Sequence, residues 1–189
     1  MSLVELAAAV LVLVNVALVA RRSVWNYPVG LAGVTLYASV FWQTKLYSDA
    51  LLQVFFFGLN LYGWAMWSRA KALKGEVLVL RMSVSARVRW MAFGLVATLG
   101  WAAMMARWTD AAAPWWDAAV AVPSVVAQAM LARRWLENWW VWIAVDATAI
   151  GLFAWKELWV TSALYVLLLA MAVWGMIRWR GALREQPSA

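Results

Sequence analysis

Seven apolar runs, at about residues 3–20, 27–43, 50–67, 90–106, 115–132, 139–155 and 159–177, divide this chain. Each is long enough, at about seventeen residues or more, to cross a hydrocarbon layer roughly 30 Å thick. No other feature restricts the fold as severely. In lipid every backbone N–H and C=O must be paired within the protein, so runs of this length become membrane-spanning helices. Composition agrees: 67% of the 189 residues are hydrophobic and only 13% charged, too few charges to clothe a soluble domain. The first run is read as a retained helix, because its early charge is Glu5 and Arg21 and Arg22 stand where a cleavage site would fall.

Charge placement sets the expected orientation. Arg21 and Arg22 follow the first run; Arg69, Lys71, Lys74, Arg81, Arg87 and Arg89 lie in the long connection 68–89; Arg133 and Arg134 follow the fifth run; Arg178, Arg180 and Arg184 lie in the tail. Only Lys45, Arg107 and Lys156 fall on the opposite side. The positive-inside rule then places the basic side in the cytoplasm, with the N-terminus outside and the C-terminus inside. The formal net charge of +7 is thereby accounted for as loop charge, and no nucleic-acid partner is implied.

The chain also repeats itself at an offset of 112 residues. "ARRSVWN" (20–26) lies over "ARRWLEN" (132–138), and the pairs Asn26/Asn138, Phe41/Phe153, Gly63/Gly175 and Trp67/Trp179 coincide. The whole, 1–189, reads as one all-α membrane domain. It comprises a three-helix repeat (1–69), a linker helix (90–106) and a second three-helix repeat (115–181). Three helices plus one linker return the second repeat in the orientation of the first, the 3+1+3 parallel-repeat plan of transporters whose solute sites lie between the halves.

Polar groups kept inside such spans serve as helix–helix ties or line a cavity. In the third span Gln53, Phe57, Asn60, Trp64 and Trp67 share one helical face; in the sixth Trp139, Trp142, Asp146 and Phe153 do. The fifth contributes Ser124 and Gln128 beside Pro123, and the seventh Tyr165. Rings of this kind stack on flat heterocycles, with added attraction for a cationic one, and amides both donate and accept. Trp67 and Trp179, at corresponding helix ends, read as membrane-boundary anchors. Matched positions should serve architecture, whereas an asymmetric solute should be met by unmatched ones such as Asn60 (over Ala172), Gln128 (over Val16), Asp146 (over Val34) and Trp142 (over Gly30). The chain has no His and no Cys, which removes the commonest catalytic base and all thiol chemistry. Transport is therefore favoured over a polytopic enzyme, with a non-transporting assembly or sensor subunit as the remaining class.

"LYSDALLQVFFFGLNLYGWAMW" (46–67) and the stretch from "VVAQAMLARRWLENWWVW" (125–142) to Trp179 resemble the PnuC family of bacterial vitamin transporters, most specifically at Asp49, Gln53, "NLYGW", Gln128, "ENWWVW" and Asp146. The resemblance implies import of nicotinamide riboside across the bacterial inner membrane by facilitated diffusion, with trapping by a cytoplasmic kinase and no cofactor. It implies a fold similar to the full-length SWEET transporters and a homotrimer in the lipid bilayer. Related members move thiamine or riboflavin, which stays open as an alternative. On the family's Trp-x-x-Trp motif, here Trp139 and Trp142, the resemblance assigns solute contact to Gln53, Asn60, Trp64, Gln128, Trp139, Trp142, Asp146 and Tyr165.

Overall fold

The computed structural model describes residues 3–43, 47–109 and 113–186, with the side chains of all of these except Glu5, Tyr47, Ser48 and Asp49. Lys45 and the Asp49 side chain, both singled out in the sequence, therefore lie outside the description. Among the described residues there are seven helices: α1 (Leu3–Ala20), α2 (Asn26–Gln43), α3 (Tyr47–Lys74), α4 (Val84–Trp108), α5 (Pro114–Ala132), α6 (Asn138–Trp155) and α7 (Trp159–Glu185). Each coincides with one apolar run. Three outgrow it, because helix-forming Ala, Lys, Arg and Leu continue α3 to Lys74 and α7 to Glu185, while Ser83 caps α4 early by accepting from the Ala86 N–H at 3.2 Å. By length and composition alone α3, α4, α5 and α7 are sufficient to cross a membrane. The 18-residue helices α1, α2 and α6 reach about 27 Å at 1.5 Å per residue, close to the thickness of the hydrocarbon layer.

Helices α1, α2 and α3 pack in sequence, as do α5, α6 and α7; the two groups meet through α1 against α7 and α3 against α5. Among the helices α4 packs along α5 alone, and it buries only Ala102. Arg133 helps to hold its base: the guanidinium lies 5.4 Å from the Trp90 ring, 5.4 Å from Trp135 and 5.6 Å from Tyr62, three cation–π contacts drawn from α3, α4 and the turn after α5.

Residues 112 apart make corresponding local structures. Helix α1 ends with Ser23 N–H donating to the Leu18 carbonyl and Arg22 N–H to that of Val19; α5 ends with Trp135 N–H donating to Met130 and Arg134 N–H to Leu131. Both are Schellman caps whose left-handed residue is an arginine, φ 57° at Arg22 and 63° at Arg134. Beyond each cap an Asn side chain donates back to the turn, Asn26 to the Ser23 carbonyl at 2.7 Å and Asn138 to that of Trp135 at 2.6 Å.

The packed core sits at the basic end. Trp67 and Trp179 are 0% exposed, so they are not the boundary anchors that their helix-end positions suggest. Each indole N–H is spent on the other half: Trp67 Nε1 donates to the Leu131 carbonyl at 3.2 Å and Trp179 Nε1 to that of Val19 at 3.0 Å. Tyr27 stands edge-on to Trp67 (centroids 5.4 Å) and Trp139 edge-on to Trp179 (5.5 Å). Gly63 and Gly175 make room for them: a Cβ at Gly63 would lie 2.5 Å from the Tyr27 ring, and one at Gly175 would run into that of Trp139.

Residues 76–82 cross this end as a strap. Val77, Val79 and Met82 are buried. Arg22 reaches the Val77 carbonyl and pairs with Glu76, Leu80 bridges to Arg134 and Leu136, and Glu137 accepts from the Met82 N–H and pairs with Arg87 at 2.8 Å. The loops after α1, α3 and α5 and the end of α7 thus meet on one side, the side that carries the basic excess.

Candidate functional site

The lengths along the helices place the polar side chains in layers. Asn60 lies seven residues before Trp67 on α3, and Asp146 seven after Trp139 on α6, so both stand about 10 Å above the aromatic floor. Asn60 and Asp146 are each 4% exposed. Asn60 Nδ2 donates to the Phe56 carbonyl of its own helix at 2.8 Å, which turns Oδ1 toward α5, where Gln128 Nε2 reaches it at 3.4 Å. Gln128 and Asn60 therefore form a polar tie between the two three-helix groups. Ser124, one turn before Gln128 and also buried, is occupied by the Val120 carbonyl at 2.7 Å.

Asp146 makes no ion pair or hydrogen bond among the described residues. A carboxyl group at mid-span without a partner costs about 2.5–3.5 kcal/mol or more, so its retention marks a polar interior. Trp142, one turn nearer the floor, is partly buried against the central aromatic cluster.

The other residues singled out in the sequence fall elsewhere. Trp139 is 2% exposed and wedged on Gly175 and Trp179 as part of the floor, with Nε1 left unpaired. Tyr165 stacks on Phe153 at 5.3 Å, about 16 Å from Trp142 along α6 at the far end. Gln53, partly buried, lies about 10 Å beyond Asn60 in the same direction. Trp64 is 38% exposed, in an open groove of about 530 Å³ shared with Val24, Trp25, Pro28, Ser68 and Lys71. The buried face of α3 runs through Asn60, Gly63, Trp67 and Ala70; Phe57 and Trp64 sit on its shoulder.

The sequence reading passed over Asn15, the one amide of α1. Its Nδ2 donates to the Asn26 carbonyl at 2.6 Å. Beside it Gly30 of α2 would place a Cβ 2.8 Å from both Asn15 Nδ2 and Asn60 Oδ1. A lone amide in an apolar run was the available signal. Among the described residues no three His, Cys, Asp or Glu side chains gather as metal ligands. Between the halves Asn15, Asn60 and Gln128 converge as an amide cluster, while Asp146 and Trp142 stand on α6; amides, a carboxyl group and an indole are the side-chain types suited to hold a flat polar solute by stacking and hydrogen bonds.

Comparison with known proteins gives a consistent picture. The family described as nicotinamide mononucleotide transporter matches residues 2–181. The nicotinamide riboside transporter PnuC of Escherichia coli is 29% identical, over 100% of this chain and 89% of its own length. The riboflavin/roseoflavin transporter RibM of Streptomyces davaonensis is 30% identical over 93% and 83%. A crystal structure of the vitamin B3 transporter PnuC superposes with a TM-score of 0.79 at 28% identity, covering 96% of this chain and 82% of that one.

Proposed function

The chain belongs to the nicotinamide mononucleotide transporter family, and from that membership we propose that it is a membrane transporter importing nicotinamide riboside by facilitated diffusion across the bacterial inner membrane. The observation that carries this reading is the Gln128–Asn60 tie at 3.4 Å, a polar contact held between two groups of membrane helices above a sealed aromatic floor. Full-length likeness to a protein named for nicotinamide riboside transport supports the solute. Asn60, Gln128, Trp142 and Asp146 form its inner site in this proposal, Gln53 and Tyr165 the approach from the far end, and Trp139 the floor.

The 3+1+3 parallel arrangement with α4 as linker is part of the same proposal, supported by the equal local structures 112 residues apart. So are a cytoplasmic basic end, supported by loop charge, and a homotrimer. Because the chain has no Cys, a cysteine introduced at Lys74 or at Leu158 would be the only thiol. In intact cells an impermeant maleimide should label the second and not the first.

Uptake of nicotinamide riboside into proteoliposomes tests the function. Wild type should equilibrate it without ATP or an ion gradient, and Asn60→Ala and Gln128→Ala should cut the rate at least tenfold while the protein remains folded. Absence of uptake of nicotinamide riboside, thiamine and riboflavin alike would refute the transporter reading. A second reading, riboflavin as the solute, is favoured by the 30% identity to RibM; competition of labelled nicotinamide riboside by excess riboflavin separates the two.

A further inference from the structure

Asn15 has two jobs available to it and performs one. Its Nδ2–H bond to the Asn26 carbonyl at 2.6 Å ties α1 to the start of α2 and fixes the amide plane. Its Oδ1 accepts no hydrogen bond among the described residues. Such an oxygen has two lone pairs to offer, and within a membrane a polar atom left without a partner is costly.

Gly30 determines what the Asn15 amide sits beside. A Cβ there would press within 2.8 Å of Asn15 Nδ2 and of Asn60 Oδ1, so the bare backbone is what lets amides from α1 and α3 converge over α2. Asn60 Oδ1 is held only by the 3.4 Å contact from Gln128 Nε2, at the long end of the hydrogen-bonding range and easily exchanged for a better partner. Three amides from three helices thus meet with acceptor and donor capacity to spare.

The repeat makes the cluster one-sided. At the 112-residue offset Asn15 lies over Ala127, Asn60 over Ala172 and Gly30 over Trp142. Where the first group of helices sets two amides around a bare glycine, the second has an indole and small apolar residues. A solute between them would meet polar groups on one side and an aromatic face on the other.

Resting on the functional reading above, we propose that Asn15 is a further solute-contacting residue, whose Oδ1 accepts an N–H of the nicotinamide carboxamide, and that Gly30 is the positioning residue that brings Asn15 and Asn60 together. Gln128 Nε2 is then free to leave Asn60 and donate to the carboxamide oxygen. The ring faces Trp142.

The test uses a solute pair that differs only at this group. Nicotinic acid riboside has a carboxylate in place of the carboxamide and no N–H to give. Affinities of both nucleosides for the detergent-purified full chain are measured by calorimetry, with thermal unfolding as the folding control. Wild type should prefer the carboxamide. Asn15→Leu should weaken nicotinamide riboside at least tenfold while changing the acid analogue little, so the preference collapses. Gly30→Ala, which keeps every amide and only displaces them, should do the same and serves if the first variant does not fold. Equal weakening of both nucleosides, with the preference intact, would show a structural tie only and overturn the proposal. If wild type binds neither nucleoside, the functional reading itself fails, a result distinct from an unchanged preference.

Discussion

Trp67 and Trp179 make the same hydrogen bond in opposite directions. Each donates its indole N–H to the last turn of the first helix of the other group, Trp67 to Leu131 and Trp179 to Val19, and their rings lie 5.9 Å apart. Positions 67 and 179 differ by 112, as do 19 and 131.

Replacing either indole by phenyl should therefore have nearly equal effects. Trp67→Phe and Trp179→Phe each lose one hydrogen bond and part of a packed ring, about 1–2 kcal/mol. Unfolding temperatures in detergent should fall by several degrees for each, at about 2–4 °C per kcal/mol. Because the rings touch, the double variant should depart from additivity.

Gly63→Ala and Gly175→Ala should both destabilise, by about 1–3 kcal/mol, since the new methyl group meets a rigid ring. Shortening the ring residue should restore stability in matched pairs only: Tyr27→Leu rescues Gly63→Ala, and Trp139→Leu rescues Gly175→Ala. Thermal unfolding of the crossed doubles, which should not recover, provides the control.

The two left-handed arginines should respond differently to glycine. Either change removes a conformational cost of about 1–2 kcal/mol, offset in part by about 0.4–1 kcal/mol of unfolded-chain entropy. Arg22 also loses its Glu76 pair and its bond to the Val77 carbonyl. Arg134 has a buried Nε without a partner, and burial holds its guanidinium below the ordinary value. Arg134→Gly should be neutral or stabilising in a thermal melt, and Arg22→Gly should not gain.

Glu137→Ala should loosen the strap. It removes the partner of Arg87 and the acceptor of the Met82 N–H. Tryptic cleavage at Arg81 should accelerate, and amide exchange over 76–83 should rise, with the helices themselves unchanged.

The helices were legible because hydrocarbon enforces them: a run of the right length has one way to satisfy its backbone. Which way a side chain faces was harder. Trp67, followed by Ser68 and Arg69, carries the signal of a boundary anchor, and only the presence of Leu131 across the interface tells it apart from one. Trp64 illustrates the same limit in reverse, since the spacing that joins it to Asn60 spans a wider arc than α3 buries. The matched-position argument served better. Arg22/Arg134, Asn26/Asn138, Gly63/Gly175 and Trp67/Trp179 all sit in caps or packed contacts. Asn15 escaped notice because one amide in an apolar helix has no periodicity to reveal it.

Reciprocity of the Trp67 and Trp179 bonds has an ancestral corollary. A contact made once in each direction is what two identical chains form about a twofold axis. A free three-helix protein bearing the same Trp and the same carbonyl could close on a second copy of itself with both bonds intact, needing no α4. Helix α4, buried at a single alanine, would then be a splice between former partners. Fusion of two such copies would free each half to mutate without its twin, and amides on one side only, Asn15 and Asn60 over Ala127 and Ala172, are the kind of asymmetry that no homodimer could carry.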